Sequence, residues 1–245
     1  MNTLTLYRLA VLALGISSLA ACAPRRQPPA PPSPETLYRE GMAAYSARRY
    51  DRAIERLEAF ARDNFGDPRV PEARLTLGRA RVAKREYVAA AADFQRVVTD
   101  FPTHPLGRDA RFGMCDAYSR LSPRPQLDPE YTNAAIGHCE AFARAYPGTP
   151  DAELATQRVA EMRAKLAQKA YENGMFYFKR RAYDAAVIYF EEAATRFPDT
   201  HFAPTALLRM YESYQRIGYT EEAAEVRARL LRDYAASPEA RNLAG

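Results

Sequence analysis

From residue 35 to residue 235 small and aromatic side chains recur at the spacing of packed helices, and no stretch alternates apolar and polar residues as a half-buried strand would. The pattern predicts an all-α chain with ten helices, over 35–47, 50–64, 70–84, 86–100, 105–121, 130–146, 150–180, 183–197, 202–216 and 219–235. Ser33-Pro34-Glu35 opens the first with a capping hydroxyl, a proline in the first turn and an acid at the positive helix end. Paired in order, the ten helices make five hairpins.

A fixed ruler runs through the hairpins. Gly174, Tyr183, Ala186 and Pro198 share their offsets with Gly78, Tyr87, Ala90 and Pro102, and Gly41, Tyr50 and Ala53 repeat the first three. Small residues let two helices approach while an aromatic wedges between them, which is the pattern of a tetratricopeptide repeat. The fold expected is therefore a tetratricopeptide-repeat solenoid of five helical hairpins with one long connecting helix. Two departures shape it. Ser122 to Pro129, SPRPQLDP, is too long and proline-rich to continue a helix and is expected to protrude as a loop. After Pro147 no proline or glycine interrupts the chain between Asp151 and Gly174, so a single stiff helix joins repeats one to three (35–148) to repeats four and five (149–240), ahead of a tail at 241–245.

The amino terminus is of another kind. Residues 1–21 read as an export signal, with Arg8 as the positive flank and Leu9 to Leu14 starting an apolar stretch. Leu19-Ala20-Ala21-Cys22 resembles the lipobox of bacterial lipoproteins, in which the cysteine becomes acylated, so Cys22 is the expected lipidation site. In lipoproteins of that type Ala23 implies transfer to the outer membrane. The apolar run is too short and too interrupted for a comfortable membrane span, which makes the lipid the anchor. Residues 22–34 follow as a tether, with six prolines between Ala23 and Pro34 favouring extended polyproline II.

Composition excludes more than it selects. With 47% hydrophobic residues, 11 glycines and no tryptophan, the chain suits packed helices. Its formal charge of +5 describes mixed, solvated helix faces better than a nucleic-acid surface, and no nucleic-acid partner is expected. Basic residues close the first helix of three hairpins, Arg48-Arg49, Lys84-Arg85 and Lys179-Arg180-Arg181, where they offset the helix dipole; they also fall on one edge of the solenoid. His104, His138 and His201 sit in different hairpins, the neighbouring carboxylates Glu191-Glu192 and Glu221-Glu222 diverge on their helices, and no glycine-rich phosphate loop occurs. No catalytic residue, metal or cofactor is expected, and the chain is read as no enzyme. Cys115 and Cys139 fall in the two helices of the third hairpin; export permits a bond, yet packed axes about 8–10 Å apart exceed most Cα separations that a disulfide spans, so two buried thiols are expected.

Binding is expected along the first helices, which line the concave face of such solenoids. One turn before, one after and four after the repeat glycines stand Tyr38, Met42 and Tyr45 in repeat one and Tyr171, Met175 and Phe178 in repeat four. Aromatic and methionine side chains suit an adaptable docking surface, and the same side chains could equally pack against neighbouring helices.

With these parts in place the chain resembles the family of the outer-membrane protein assembly factor BamD. The resemblance is carried by Phe101-Pro102-Thr103-His104-Pro105, by the SPRPQLD loop and above all by the run from Lys165 to Thr200. It implies a lipoprotein of the β-barrel assembly machinery, facing the periplasm. Its carboxy-terminal repeats would dock a periplasmic (POTRA) domain of the barrel-forming subunit, and its amino-terminal repeats would receive unfolded outer-membrane protein precursors. Where that family often has Tyr-Pro-Phe-Gly after repeat one, this chain has Asn64-Phe65-Gly66-Asp67. The other reading is an envelope adaptor lipoprotein of the same fold coordinating cell-wall or Tol-Pal-type processes.

Overall fold

The computed structural model describes residues 31–244, and Pro34–Gly245 make one compact unit. Cys22, the export signal and most of the tether lie outside the described residues. The described part is built from eleven α-helices: α1 (Pro34–Ser46), α2 (Tyr50–Asp63), α3 (Val70–Ala83), α4 (Tyr87–Asp100), α5 (Gly107–Leu121), α6 (Glu130–Ala145), α7 (Pro150–Lys179), α8 (Tyr183–Arg196), α9 (Phe202–Ile217), α10 (Thr220–Asp233) and α11 (Pro238–Ala244). Each helix packs on the next, and each hairpin's first helix also meets the first helix of the following hairpin, α1 on α3, α3 on α5, α5 on α7 and α7 on α9. The second helices α2 to α8 make no such contact with one another. A stack in which only one row of helices touches along its length curves towards that row, so the first helices line the concave face.

The ruler marks the packing. A buried alanine recurs in every second helix, Ala53, Ala90, Ala135, Ala186 and Ala223, and four residues after it in the first, second and fourth hairpins come Leu57, Phe94 and Phe190. Phe94 and Phe190 are wedges. A Cβ placed on Gly174 would stand 2.5 Å from the Phe190 ring, and one on Gly78 or Gly113 would stand 2.6 or 2.8 Å from Phe94. The glycines are there because the aromatic occupies the space a side chain would need.

In the third hairpin Cys139 holds the wedge position, and it is bonded to Cys115. This corrects the expectation of two free thiols. Axes about 8–10 Å apart carry Cα atoms about 2.3 Å from each axis, so residues facing one another directly have Cα atoms only about 4–5 Å apart. The observed Cα–Cα separation is 4.7 Å, within disulfide range.

Thr149 caps α7, its hydroxyl accepting from the Ala152 amide at 3.3 Å, and Pro150 and Asp151 fill the first turn. Its 30 residues span about 45 Å. The loop from Ser122 to Pro129 folds back on it: Lys169 Nζ donates to the Leu127 carbonyl at 2.7 Å and Gln126 to Glu172 at 2.7 Å. The short α11 was not anticipated. Ala240 is buried in the last core cluster with Leu230, and Thr205 donates to Glu239 at 2.7 Å, so α11 covers the apolar end that a terminal repeat leaves open.

Three turns inside hairpins place an arginine in the left-handed region, Arg48 at φ 57°, Arg85 at 64° and Arg181 at 62°; the fifth hairpin puts Gly218 there at 94°. Each arginine sits in the same helix-ending motif, for example Glu86 N donating to the Arg81 carbonyl at 2.9 Å and Arg85 N to Val82 at 3.0 Å. A side chain in this conformation costs about 1 kcal/mol or more. Arg85→Gly is therefore expected to raise the unfolding free energy by roughly 0.5–1 kcal/mol, read from the midpoint of urea unfolding.

Candidate partner-binding groove

The concave row opens into a cavity of about 440 Å³ between the first three hairpins and the start of α7. Tyr45 from α1, Arg79 and Val82 from α3, Phe112 and Asp116 from α5 and Asp151 from α7 line it, with the Phe94 wedge at its floor. The charged side chains of its rim form ion pairs. Arg79 bonds Asp109 at 2.7 Å, Arg108 bonds Asp151 at 2.8 Å, and Asp116 receives Arg158 at 2.6 Å and Arg120 at 2.9 Å. These pairs hold α3, α5 and α7 at fixed spacing, and the apolar walls between them offer contact area to an inserted side chain.

The six side chains expected in the groove are placed differently from one another. Tyr45 lines the cavity and packs on Tyr50, ring centroids 6.0 Å apart. Tyr38 packs in its own repeat and reaches the next: its ring lies 5.3 Å from Phe60 and 4.8 Å from the Arg69 guanidinium, and its hydroxyl donates to Glu72 of α3 at 2.6 Å. Burial, with that acceptor, pushes the Tyr38 hydroxyl up to about 12. Met42 is half-buried against the first core cluster. In repeat four, Tyr171, Met175 and Phe178 are half-buried in the last cluster, Tyr171 between Phe190 and Phe202 at 5.7 Å from each. Arg209 and Arg216 of α9 lie over Phe178 at 5.8 and 5.2 Å. The glycine offsets identified one cavity residue and five that chiefly pack. Arg79 and Val82, one and four residues after Gly78, carry the same offsets in repeat two.

Behind the groove a buried carboxylate pairs within the second hairpin, and its arginine partner also reaches Glu58 of the first hairpin at 3.0 Å. Asp93 on α4 accepts from Arg81 Nη1 at 2.7 Å, with Arg74 also of α3, Glu58 of α2 and Arg96 of α4 around it. Burial outweighs these cations and pushes Asp93 up to about 6. A folded pKa above the ordinary 3.8 means the folded state holds the proton more tightly, so this group favours folding below about pH 4 and the advantage is lost as pH rises through 6. The stability of the native chain minus that of Asp93→Asn is therefore expected to fall between pH 4 and 7, as measured by urea unfolding at each pH.

Among the described residues no group of three or more His, Cys, Asp or Glu side chains is placed to hold a metal ion, and no helix is long and apolar enough to cross a membrane. His138 stacks on Tyr118 at 4.7 Å, and its burial lowers its proton affinity.

The sequence model of the family described as "YfiO: Outer membrane lipoprotein" matches residues 31–230. The chain is 30% identical over 224 residues to the outer membrane protein assembly factor BamD of Vibrio cholerae serotype O1, covering 85% of this chain and 90% of that one. It is 25% identical to the BamD of Caulobacter vibrioides, over 77% of this chain and 62% of the relative, and 25% identical to that of Rickettsia prowazekii, over 77% and 75%. Among solved structures, a tetratricopeptide-repeat protein of Bacteroides fragilis aligns with a TM-score of 0.47 at 14% identity, over 86% of this chain and 95% of that one. TTC0263 of Thermus thermophilus aligns with a TM-score of 0.36 at 22% identity, over 85% and 95%.

Proposed function

Because the chain belongs to the YfiO family of outer membrane lipoproteins, we propose that it is a non-enzymatic component of the machinery that assembles outer-membrane proteins, anchored by acyl chains on Cys22 and facing the periplasm. Its amino-terminal hairpins receive extended segments of unfolded precursors, and its carboxy-terminal hairpins dock a periplasmic domain of the barrel-forming subunit. The observation that carries the first half is the concave cavity: an apolar-walled trough of about 440 Å³ lined by Tyr45 of α1 and Phe112 of α5, with its charged rim residues in ion pairs. Such a trough takes a side chain from an extended polypeptide without leaving charges unpaired. Holding precursors beside the insertion machine raises their local concentration, and the chain needs no covalent chemistry for that.

The test is the fluorescence anisotropy of a labelled peptide carrying the carboxy-terminal strand of a barrel precursor. Tyr45→Ala is expected to weaken binding by about tenfold, the loss of one aromatic contact, while Ile188→Ala, exposed on α8, leaves it unchanged. Equal binding by both variants would remove the groove from the mechanism.

A further inference from the structure

The two edges of the solenoid differ in charge and in exposed apolar surface. The five turns inside hairpins, residues 47–49, 84–86, 122–129, 180–182 and 218–219, hold seven cations against the acids Glu86 and Asp128. The turns between hairpins hold Arg69 against Asp67 and Asp199, and Arg69 is bonded to Asp67 at 2.9 Å and Glu35 at 2.5 Å. On the cationic edge Lys84 is taken by Asp51 and Glu86, and Arg180 lies over Phe176. Arg48, Arg49, Arg85 and Arg181 are exposed and make no side-chain bond or ion pair among the described residues. Within one helical turn of these segments lie five more acids, Asp51, Glu130, Asp184, Glu221 and Glu222, and five more cations, Arg52, Arg81, Arg120, Lys179 and Arg216, so the excess stays positive.

The same edge carries apolar tips. Of the eight exposed large apolar side chains among the described residues, five stand in these turns or within one helical turn of them: Val88, Leu127, Tyr131, Phe176 and Tyr219. They are spread over hairpins two to five. Cations interleaved with single aromatic and aliphatic side chains, strung along a line with no enclosing pocket, match a surface that is itself extended, anionic outside and apolar just beneath. The backbone points the same way. Arg48, Arg85 and Arg181 occupy a left-handed position that Gly218 fills without strain, so three cations are held at a cost in stability that glycine would avoid.

We propose that this edge is a lipid-contact surface that lies against the headgroups of an anionic bilayer, with the arginines on phosphates and the apolar tips at the boundary beneath them. The proposed outer-membrane function decides only which bilayer is met; the contact is a property of the helical unit and is measured without any assembly partner. Residues 34–245, the compact unit without acyl chains, are mixed with vesicles of phosphatidylcholine alone or with phosphatidylglycerol added, and sedimented. The unit is expected to sediment with the anionic vesicles only, and its partition to fall at least tenfold as salt is raised. The triple variant Arg48→Gly, Arg85→Gly, Arg181→Gly is expected to lose at least tenfold in partition while its melting temperature holds or rises, a combination that a purely structural role would not give. Arg49→Gln with Arg180→Gln supplies the same readout should the triple variant not fold. Equal partition to both vesicles, an unchanged triple variant, or binding to soluble polyglutamate more tightly than to the vesicles would overturn the proposal.

Discussion

Phe190→Ala is expected to lower the unfolding free energy by about 4 kcal/mol, the upper part of the range for deleting a buried aromatic. The ring is fully buried, it meets the Tyr171 and Phe178 rings at 5.7 and 6.2 Å, and it fills the space left open by Gly174. With the ring gone, Gly174, Tyr171 and Phe178 border a void, and the Tyr177–Tyr189 and Phe178–Tyr183 contacts at 5.3 and 5.4 Å are left as aromatic contacts between α7 and α8. The converse change is informative too. Gly174→Val sets a Cβ 2.5 Å from the same ring and is expected to cost about 1–3 kcal/mol through displacement of packed neighbours. Because each hairpin is stabilised chiefly by its neighbours, the loss should spread: hydrogen exchange in Phe190→Ala should quicken across α7 to α10 before it does in α1 to α4. A change below about 1 kcal/mol in urea unfolding would mean that the wedge is not what joins these helices.

Breaking the Cys115–Cys139 bond is expected to cost about 3 kcal/mol. The bond closes a segment with a sequence separation of 24, and releasing a closure of that length returns about that much conformational freedom to the unfolded chain. Cys139 stands where its neighbours have Phe94 and Phe190, and the loop from Ser122 to Pro129 lengthens the connection, so the bond closes the hairpin together with the Phe112–Phe142 ring contact at 5.2 Å. Both cysteines are fully buried, so a mild reductant should leave the folded chain intact while the Cys115→Ala, Cys139→Ala variant unfolds at lower urea. A native mass two hydrogens lighter than the reduced chain verifies the bond. Equal unfolding midpoints for the variant and the native chain would show that helix packing alone closes the hairpin.

Much of this architecture is legible in the sequence because it rests on shape. Gly78 with Phe94 and Gly174 with Phe190 are spaced as the two sides of one helix contact, and ten helices follow within a few residues of their observed ends. The parts that were missed depend on direction or on chain ends. The distance between axes misleads about Cys115 and Cys139 because it ignores that facing Cα atoms lean inward from both helices. The helix from Pro238 to Ala244 is too short to carry a repeat signature, and it is placed by the apolar end it covers. The groove was half legible. Tyr45 and Phe178 share an offset from their glycines, yet Tyr45 opens into the cavity and Phe178 is roofed by Arg209 and Arg216, which belong to a hairpin that offsets within one repeat do not see. Arg79, Asp116 and Asp151 come together only once α3, α5 and α7 are stacked.

Stacked hairpins that hold other proteins at the outer membrane, as proposed, should be isolated together with them. The most direct test is affinity purification of the full chain from detergent-solubilised envelopes of its own cells, with the captured proteins identified by mass. Recovery of a β-barrel subunit bearing periplasmic domains, in near-equal amount, is the result predicted. Recovery of peptidoglycan-associated proteins without any barrel subunit would contradict the account and support an adaptor for the cell wall.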